Sequence, residues 1–156
     1  MFGPKTMRDD IQINYFECED IDSIIKIENV SFTAPWSKEA YIDLAYDETI
    51  RFFVVKLNKA VVGYILYQIV ENEIELHTIA VKPEMRKQGI AEKMLKLMID
   101  DAKSNKISDL FLQVRKTNIA AISLYSKFGF INVGIRPNYY TDNHEDAFIM
   151  QLKLSN

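Results

Sequence analysis

The segment Ile79-Ala80-Val81-Lys82-Pro83-Glu84-Met85-Arg86-Lys87-Gln88-Gly89-Ile90-Ala91 holds the most informative pattern of this chain. It is typical of a buried strand, a turn broken by Pro83, and a basic loop that opens directly into a helix. A helix start leaves four backbone N–H groups without intrahelical partners and carries a partial positive charge, so such a loop can bind a phosphate. Gly89 allows close approach of the backbone, and Arg86 and Lys87 add formal charge. The segment therefore predicts an anion site.

Length and composition limit the remaining possibilities. The chain has 156 residues, 48% of them hydrophobic and 26% charged. This balance predicts a single domain with a substantial core over residues 11–156, preceded by a loose leader at residues 1–10. The net charge of −3 gives no general attraction to nucleic acid, so we expect no nucleic-acid partner.

The cysteine and histidine content and the apolar runs exclude further classes. Cys18 is the only cysteine, which excludes an internal disulfide, and no apolar run approaches the length of a membrane span. With two histidines besides this cysteine, the sequence has no zinc-type ligand spacing, and we predict no metal site. We expect a cytoplasmic protein without a membrane partner, as a monomer or weak dimer.

Hydrophobic periodicity predicts seven strands and four helices. The turns Asn58-Lys59 and Glu71-Asn72 are short, which predicts an antiparallel meander, whereas the strand after the third helix can pair in parallel through a right-handed crossover. The expected strands are 11–15, 51–57, 60–69, 73–81, 110–115, 130–136 and 147–154, and the helices start after Asp20, Ser37, the basic loop and Asn118.

This order of elements resembles the GNAT family of acetyl-CoA-dependent N-acetyltransferases, and within it the RimI-type ribosomal-protein alanine N-acetyltransferases. The resemblance implies an α/β (α+β) GNAT fold, with a mixed central sheet of about seven strands, largely antiparallel with a splayed parallel pair, flanked by about four helices. The matching blocks are Ala34-Pro35-Trp36-Ser37, the segment quoted above, Val114-Arg115-Lys116-Thr117-Asn118, Leu124-Tyr125 with Gly129-Phe130, and Asn138-Tyr139-Tyr140 with Glu145-Asp146-Ala147.

The resemblance implies acetyl-CoA as acetyl donor, with no metal. Its pantetheine arm would pair with the strand backbone, its pyrophosphate would contact the N–H groups of the loop and helix start, and an asparagine would contact it from the next helix. The implied residues are Ile79, Ala80, Val81, Arg86, Lys87, Gln88, Gly89, Ile90, Ala91, Glu92 and Asn118, with Ala91 in place of the commoner glycine.

The resemblance also implies that Tyr125 is the general acid that protonates the departing thiolate. A phenol with a pKa near 10 can do this for a thiol with a pKa near 8.5 if its surroundings lower the phenol pKa somewhat. The alternative is that Tyr125 is a core aromatic residue that packs with Leu124 and Phe128 on one helix face.

The sequence departs from the family pattern at Gln113, where RimI-type enzymes have a glutamate base. An amide cannot accept the proton of the amine, although it can hydrogen-bond a water or the peptide. Roughly 10% of an α-amine with a pKa near 7.8 is neutral at pH 7, against less than about 0.1% of a lysine, a difference of about 3.5 kcal/mol. An α-amine therefore tolerates the missing base better, which favours protein N-termini as acceptors.

Glu75 and His77 are the best substitute bases, because residues two apart on a strand share a face. A solvent-facing cross-strand pair, or a hydrogen-bonded and half-buried histidine, is at least as good an interpretation. His144 with Glu145, in a polar loop that should be mostly solvated, is a weaker candidate.

Four aromatic residues are candidates for the acceptor side. Related enzymes place the corresponding loops there, so Phe32, Trp36, Tyr139 and Tyr140 could line the peptide site, with ordinary packing as the alternative. We expect Arg115 to anchor strand ends or a carboxylate rather than take part in the chemistry.

The leading hypothesis is acetyl transfer to the N-terminal α-amine of a protein, with ribosomal proteins as candidates. Its rivals are an acetyltransferase for a small-molecule amine, a silent acyl-CoA-binding module supported by Gln113, and a nucleic-acid-binding protein that uses the basic loop.

Overall fold

Seven strands and four α-helices make up the computed structural model, which describes residues 10–155. The expected leader therefore lies outside the described residues, apart from Asp10. The strands are β1 Ile11–Tyr15, β2 Ile50–Leu57, β3 Ala60–Val70, β4 Glu73–Val81, β5 Asp109–Arg115, β6 Ile131–Arg136 and β7 Ala147–Lys153. The helices are α1 Ile21–Ser31, α2 Lys38–Ala45, α3 Ile90–Ser104 and α4 Ile119–Lys127, with short 3-10 turns at Cys18–Asp20 and Pro83–Met85.

The strands form one mixed sheet in the order β1-β2-β3-β4-β5-β7-β6. Strand β1 runs antiparallel to β2, and β7 runs antiparallel to both β5 and β6. Strands β4 and β5 are parallel, with a register from Glu73↔Asp109 to Leu76↔Leu112, and both strands continue beyond that last pair. The expected fold, a largely antiparallel sheet with one parallel pair that separates along its length, is confirmed.

Local chemistry explains why the elements begin and end where the sequence predicts. Asn58 and Lys59 both have positive φ values, of 50° and 70°, as a two-residue hairpin turn requires. The side chains of Ser37 and Asn118 accept hydrogen bonds from the amides three residues ahead, and so cap α2 and α4. Gly129 follows α4 with a φ of 99°, a conformation that favours glycine at a helix end.

The chain divides into two compact units, with β3, β4 and α3 contributing residues to each. The first unit contains the described residues up to Tyr67 together with Thr78–Lys96. Its core packs α1 and α2 against β2 and β3. The fully buried side chains there include Ile24, Tyr41, Val54, Tyr64 and Leu66.

The second unit contains Gln68–His77 and the described residues from Leu97 onward. Burial alternates along β5, where Leu110, Leu112 and Val114 are buried and the residues between them are half-buried. Gln113 and Arg115 therefore share the other face of this strand. One domain over residues 11–156 remains a prediction. Within residues 10–155, we find no helix long and apolar enough to cross a membrane.

Candidate active site

The basic loop has the backbone of an anion site. Lys87 and Gly89 have φ values of 62° and 83°, so the chain turns sharply before α3. The positive φ of Gly89 is a conformation that favours glycine. A Cβ atom built on Gly89 would have no heavy atom of another segment within 4 Å, so the adjacent space is open. Lys93 donates the first i−4 bond of the helix to the Gly89 carbonyl at 3.1 Å. The amides of residues 90–92 precede this bond and can donate to a phosphate, so the loop fits the pyrophosphate of acetyl-CoA.

Arg86 makes structural contacts in addition to the charge that the sequence predicted for it. Its Nε donates to the Val81 carbonyl at 2.9 Å and its Nη2 donates to the Ser31 hydroxyl at 3.1 Å. The guanidinium therefore ties the end of β4 and the end of α1 to the loop, in addition to supplying charge. A ligand amide that pairs with the Val81 carbonyl must use the second lone pair of that oxygen.

The loop between α1 and α2 rests on a buried carboxylate whose importance the sequence did not indicate. Glu28 is only 2% exposed. Its Oε2 accepts from the Trp36 amide at 2.8 Å, and its Oε1 accepts from the Tyr41 and Tyr64 hydroxyls at 2.5 Å each. We call Glu28, Trp36, Tyr41 and Tyr64 the Glu28 cluster. The sequence showed Glu28 only at helical spacing in α1, with no sign of burial.

The two aromatic residues of this loop differ in their surroundings. Trp36 is half-buried and its ring lies 5.2 Å from that of Tyr41, so it packs against the core. Phe32 is 37% exposed. Packing is therefore part of the role of Trp36, while Phe32 has the exposure that an acceptor-side residue needs.

Tyr125 is buried in the second unit. It is 7% exposed, and its ring meets that of Phe130 edge to face with 6.0 Å between centroids. Burial, and secondarily the neighbouring Tyr140, raise the pKa of the Tyr125 phenol above its usual value. The lowered phenol pKa that this role would favour is not found in the protein alone, because the apolar surroundings destabilise the phenolate.

The candidate bases have distinct environments. The Nε2 of His77 lies 2.9 Å from the Gln68 Oε1. Because an amide oxygen only accepts hydrogen bonds, this contact requires the ring hydrogen to be on Nε2, and Nδ1 is then the ring nitrogen with a free lone pair. Glu75 is exposed on the same face of β4, and Gln113 is half-buried on β5. Hydrogen bonds from Thr117, and then from Arg115 and Asn143, lower the pKa of Glu145 to about 2, so Glu145 is a poor base.

The remaining residues that the sequence predicted for the site are Asn118, Tyr139, Tyr140 and His144. The Asn118 Oδ1 accepts from the Ala121 amide at 3.2 Å, so this oxygen caps α4 and the amide nitrogen can donate to a ligand. Tyr139 is 43% exposed and Tyr140 is half-buried, with 5.0 Å between their ring centroids. His144 is exposed, as expected.

Arg115 lies on carboxylates, as the sequence suggested. It forms ion pairs with Asp142 at 2.9 Å and with Glu145 at 3.2 Å. Over residues 10–155, no group of three or more His, Cys, Asp or Glu side chains is arranged to hold a metal ion. Cys18 is free and exposed.

Comparison with known proteins identifies the family. The sequence profile of the Acetyltransferase (GNAT) family matches residues 21–130. The chain is 34% identical to the Escherichia coli K12 "[Ribosomal protein bS18]-alanine N-acetyltransferase", over 92% of this chain and 97% of that protein. It is 36% identical to a Bacillus subtilis protein provisionally given the same name, over 96% and 99% of the two chains.

Solved structures agree. The crystal structure of the ribosomal-protein-S18-alanine N-acetyltransferase from Escherichia coli superposes with a TM-score of 0.86 at 34% identity, covering 94% of this chain and 95% of that one. Ard1 from Thermoplasma volcanium superposes with the same TM-score of 0.86 at 26% identity, covering 94% and 99%. The chain belongs to the GNAT family and is an acetyl-CoA-dependent N-acetyltransferase.

Proposed function

We propose that this protein transfers the acetyl group of acetyl-CoA to the N-terminal α-amino group of a ribosomal protein that begins with alanine. The observation that carries the proposal is the likeness, over nearly the whole chain, to the Escherichia coli enzyme named for that activity. The two proteins match in sequence and in fold, and the matching region includes the acceptor-side blocks as well as the loop of the donor site.

The backbone of the basic loop would bind acetyl-CoA, the acetyl donor. Acetyl-CoA supplies a thioester, whose C–S bond breaks as the amine nitrogen forms a C–N bond to the acyl carbon. The amides of residues 90–92 would donate to its pyrophosphate, and Lys87 would add positive charge from an exposed position. The amide nitrogen of Asn118 is a further donor.

The acceptor must reach the site as a neutral amine. Gln113 cannot take a proton from the amine. The rate of transfer therefore depends more on the fraction of the amine that is already neutral in solution than it would in relatives with a glutamate. The difference of about 3.5 kcal/mol between an α-amine and a lysine at pH 7 favours the α-amine. His77 is the substitute base we propose, since its Nδ1 is left to accept a proton while Gln68 holds the ring.

Tyr125 would return a proton to the departing thiolate. Its raised pKa keeps the phenol protonated throughout the neutral range, so the donor is always present. On the acceptor side, Phe32 and Tyr139 expose aromatic surface, and the hydroxyls of Tyr139 and Tyr140 would hydrogen-bond a peptide backbone.

One experiment distinguishes the proposed function from a small-molecule amine acetyltransferase and from a silent acyl-CoA-binding module. The protein is incubated with acetyl-CoA and three acceptors: a peptide with a free N-terminal alanine, the same peptide blocked at its N-terminus but carrying a lysine, and a polyamine. Mass spectrometry with fragmentation locates each acetyl group. We expect acetylation of the free α-amine.

Acetylation of only the blocked peptide or the polyamine would contradict the proposed acceptor. Binding of acetyl-CoA without any product would favour a silent acyl-CoA-binding module.

A further inference from the structure

The loop between β6 and β7 is tied to the end of β5 through a single side chain, Arg115. Its Nη2 donates to the Asp142 Oδ2 at 2.9 Å, and its Nη1 donates to the Glu145 Oε1 and the Asn143 Oδ1 at 3.2 Å each. Its guanidinium carbon lies 3.9 Å from the centroid of the Tyr140 ring. One planar group thus contacts four residues of the same loop.

Glu145 extends this connection to the start of α4. While its Oε1 accepts from Arg115, its Oε2 accepts from both the amide, at 2.8 Å, and the hydroxyl of Thr117. Thr117 immediately precedes Asn118, the cap of the helix that carries Tyr125. The loop is therefore joined both to β5 and to the beginning of α4.

Backbone hydrogen bonds also hold the same loop, and the shortest joins the His144 amide to the Tyr140 carbonyl at 2.8 Å. Tyr140 donates its amide to the Glu145 carbonyl at 3.2 Å, and Lys116 donates its amide to the Asp146 carbonyl at 3.1 Å. Asn138 and His144 have positive φ values, of 54° and 60°, which residues other than glycine adopt at a cost in free energy. Contacts from side chains must offset that cost for the loop to keep this shape.

Tyr140 links the loop to the reaction. It is half-buried, and after burial it is the second cause of the raised pKa of Tyr125, the proposed general acid. The Arg115 cation opposes the effect of burial on the Tyr140 pKa. The loop thus holds both tyrosines proposed to bind the peptide, the half-buried Tyr140 against Arg115 and the exposed Tyr139 beside it.

We infer that Arg115 is a positioning residue for the acceptor: by holding Asp142, Glu145 and the Tyr140 ring together, it fixes the Tyr139–Tyr140 segment in the orientation that receives the peptide. The inference rests on the proposed function, in which an N-terminal peptide binds at these tyrosines. Arginine suits this role because its planar fork can serve two carboxylates and stack on a ring at once, whereas lysine offers a single point charge.

The inference predicts a split between the two substrates. In Arg115→Met, we expect the KM for an alanine-terminated peptide to rise at least tenfold, while the Kd for acetyl-CoA, measured by calorimetry, changes by less than twofold. Arg115→Lys should recover part of the peptide KM, because it keeps the charge and loses the fork. Arg136→Met is the matched control: its guanidinium carbon lies 5.8 Å from the Tyr139 ring centroid, so its effect should be smaller.

Hydrogen exchange supplies a second measurement that needs no acceptor. The amides of Thr117 and Tyr140, which donate to Glu145, should exchange faster in Arg115→Met than in the parent protein, while the β5 amides stay protected. Glu145→Gln keeps the shape of that side chain and serves as the variant of choice if Arg115→Met does not fold. It should give the same pattern at smaller amplitude.

The outcomes separate the two proposals. If the parent protein acetylates peptides and the variants keep its peptide KM, or if acetyl-CoA binding falls in parallel with peptide binding, the positioning role is overturned and the proposed function stands. If the parent protein acetylates no N-terminal peptide, the proposed function fails. In that case, unchanged amide exchange at Thr117 and Tyr140 in Arg115→Met would also overturn the claim that Arg115 holds the loop in place.

Discussion

Removal of one hydroxyl from the Glu28 cluster should destabilise the protein measurably, although it leaves the ring and its packing in place. In Tyr64→Phe the Glu28 Oε1 loses a donor at 2.5 Å and keeps Tyr41, while Oε2 keeps the Trp36 amide. Hydrogen bonds to charged groups contribute about 1.5–3 kcal/mol, and the carboxylate is too deeply buried for water to replace the donor. No cavity forms, so this range is the whole expected loss.

The assay is unfolding by urea and, separately, by heat, monitored by the fluorescence of Trp36, the only tryptophan of the chain. A loss of about 1.5–3 kcal/mol corresponds to a fall in Tm of about 3–12 °C for a protein of this size. Tyr46→Phe is the control, because Tyr46 is 78% exposed and its hydroxyl can bond to water, so we expect a change within about 0.5 kcal/mol. A Tyr64→Phe protein as stable as the control would refute the claim that this hydroxyl stabilises a buried carboxylate.

Four further results are expected. Tyr125→Phe should lower turnover at least tenfold while acetyl-CoA still binds; near-normal turnover would remove this residue from the mechanism. Gln113→Glu should raise activity at pH 7, and loss of turnover in a folded variant would assign the glutamine a different role. The kcat/KM for an α-amine peptide should rise with pH as the amine loses its proton and then stay level to about pH 9.5, since Tyr125 remains protonated; a fall between about pH 8 and 9 would contradict the raised pKa. Stability to urea should fall above about pH 10, the unfolded tyrosine pKa. The pKa values of Tyr41 and Tyr64 are raised in the folded protein, chiefly by burial, so only the unfolded chain loses these protons there. Equal urea midpoints at pH 8.5 and 10.5 would contradict this.

Elements whose causes are local could be predicted from the sequence. The Asn58-Lys59 turn and the Ser37 and Asn118 caps each depend on residues within a few positions, and all three were predicted. The order of the elements along the chain came from periodicity, and the mixed sheet came from the family resemblance as well. These features need no knowledge of which distant residues meet.

Side-chain partners that lie far apart in the chain could not be predicted in this way. Arg115 meets Asp142 and Glu145, which are 27 and 30 residues away, and Glu28 meets Tyr64, which is 36 residues away. Periodicity placed Glu28 on a helix, but a buried glutamate and an exposed one look the same in the sequence. The sequence could name a carboxylate partner for Arg115 as a class, and only the fold identifies which carboxylates it contacts.

The environment of Tyr125 and the loss of the family glutamate fit one type of acceptor. A phenol whose pKa is raised above 10 is a weaker acid than the thiol it would regenerate, so proton transfer to the released thiolate is unfavourable by more than about 2 kcal/mol. In the proposed mechanism, Tyr125 would therefore stabilise the charge that develops on sulfur chiefly as a hydrogen-bond donor. The amine must then supply most of the driving force itself. An α-amine does so without a strong base, because an appreciable fraction is already neutral at pH 7. A lysine would need a stronger base than the Gln113 amide can provide, and this chemical requirement supports the proposed protein N-terminus.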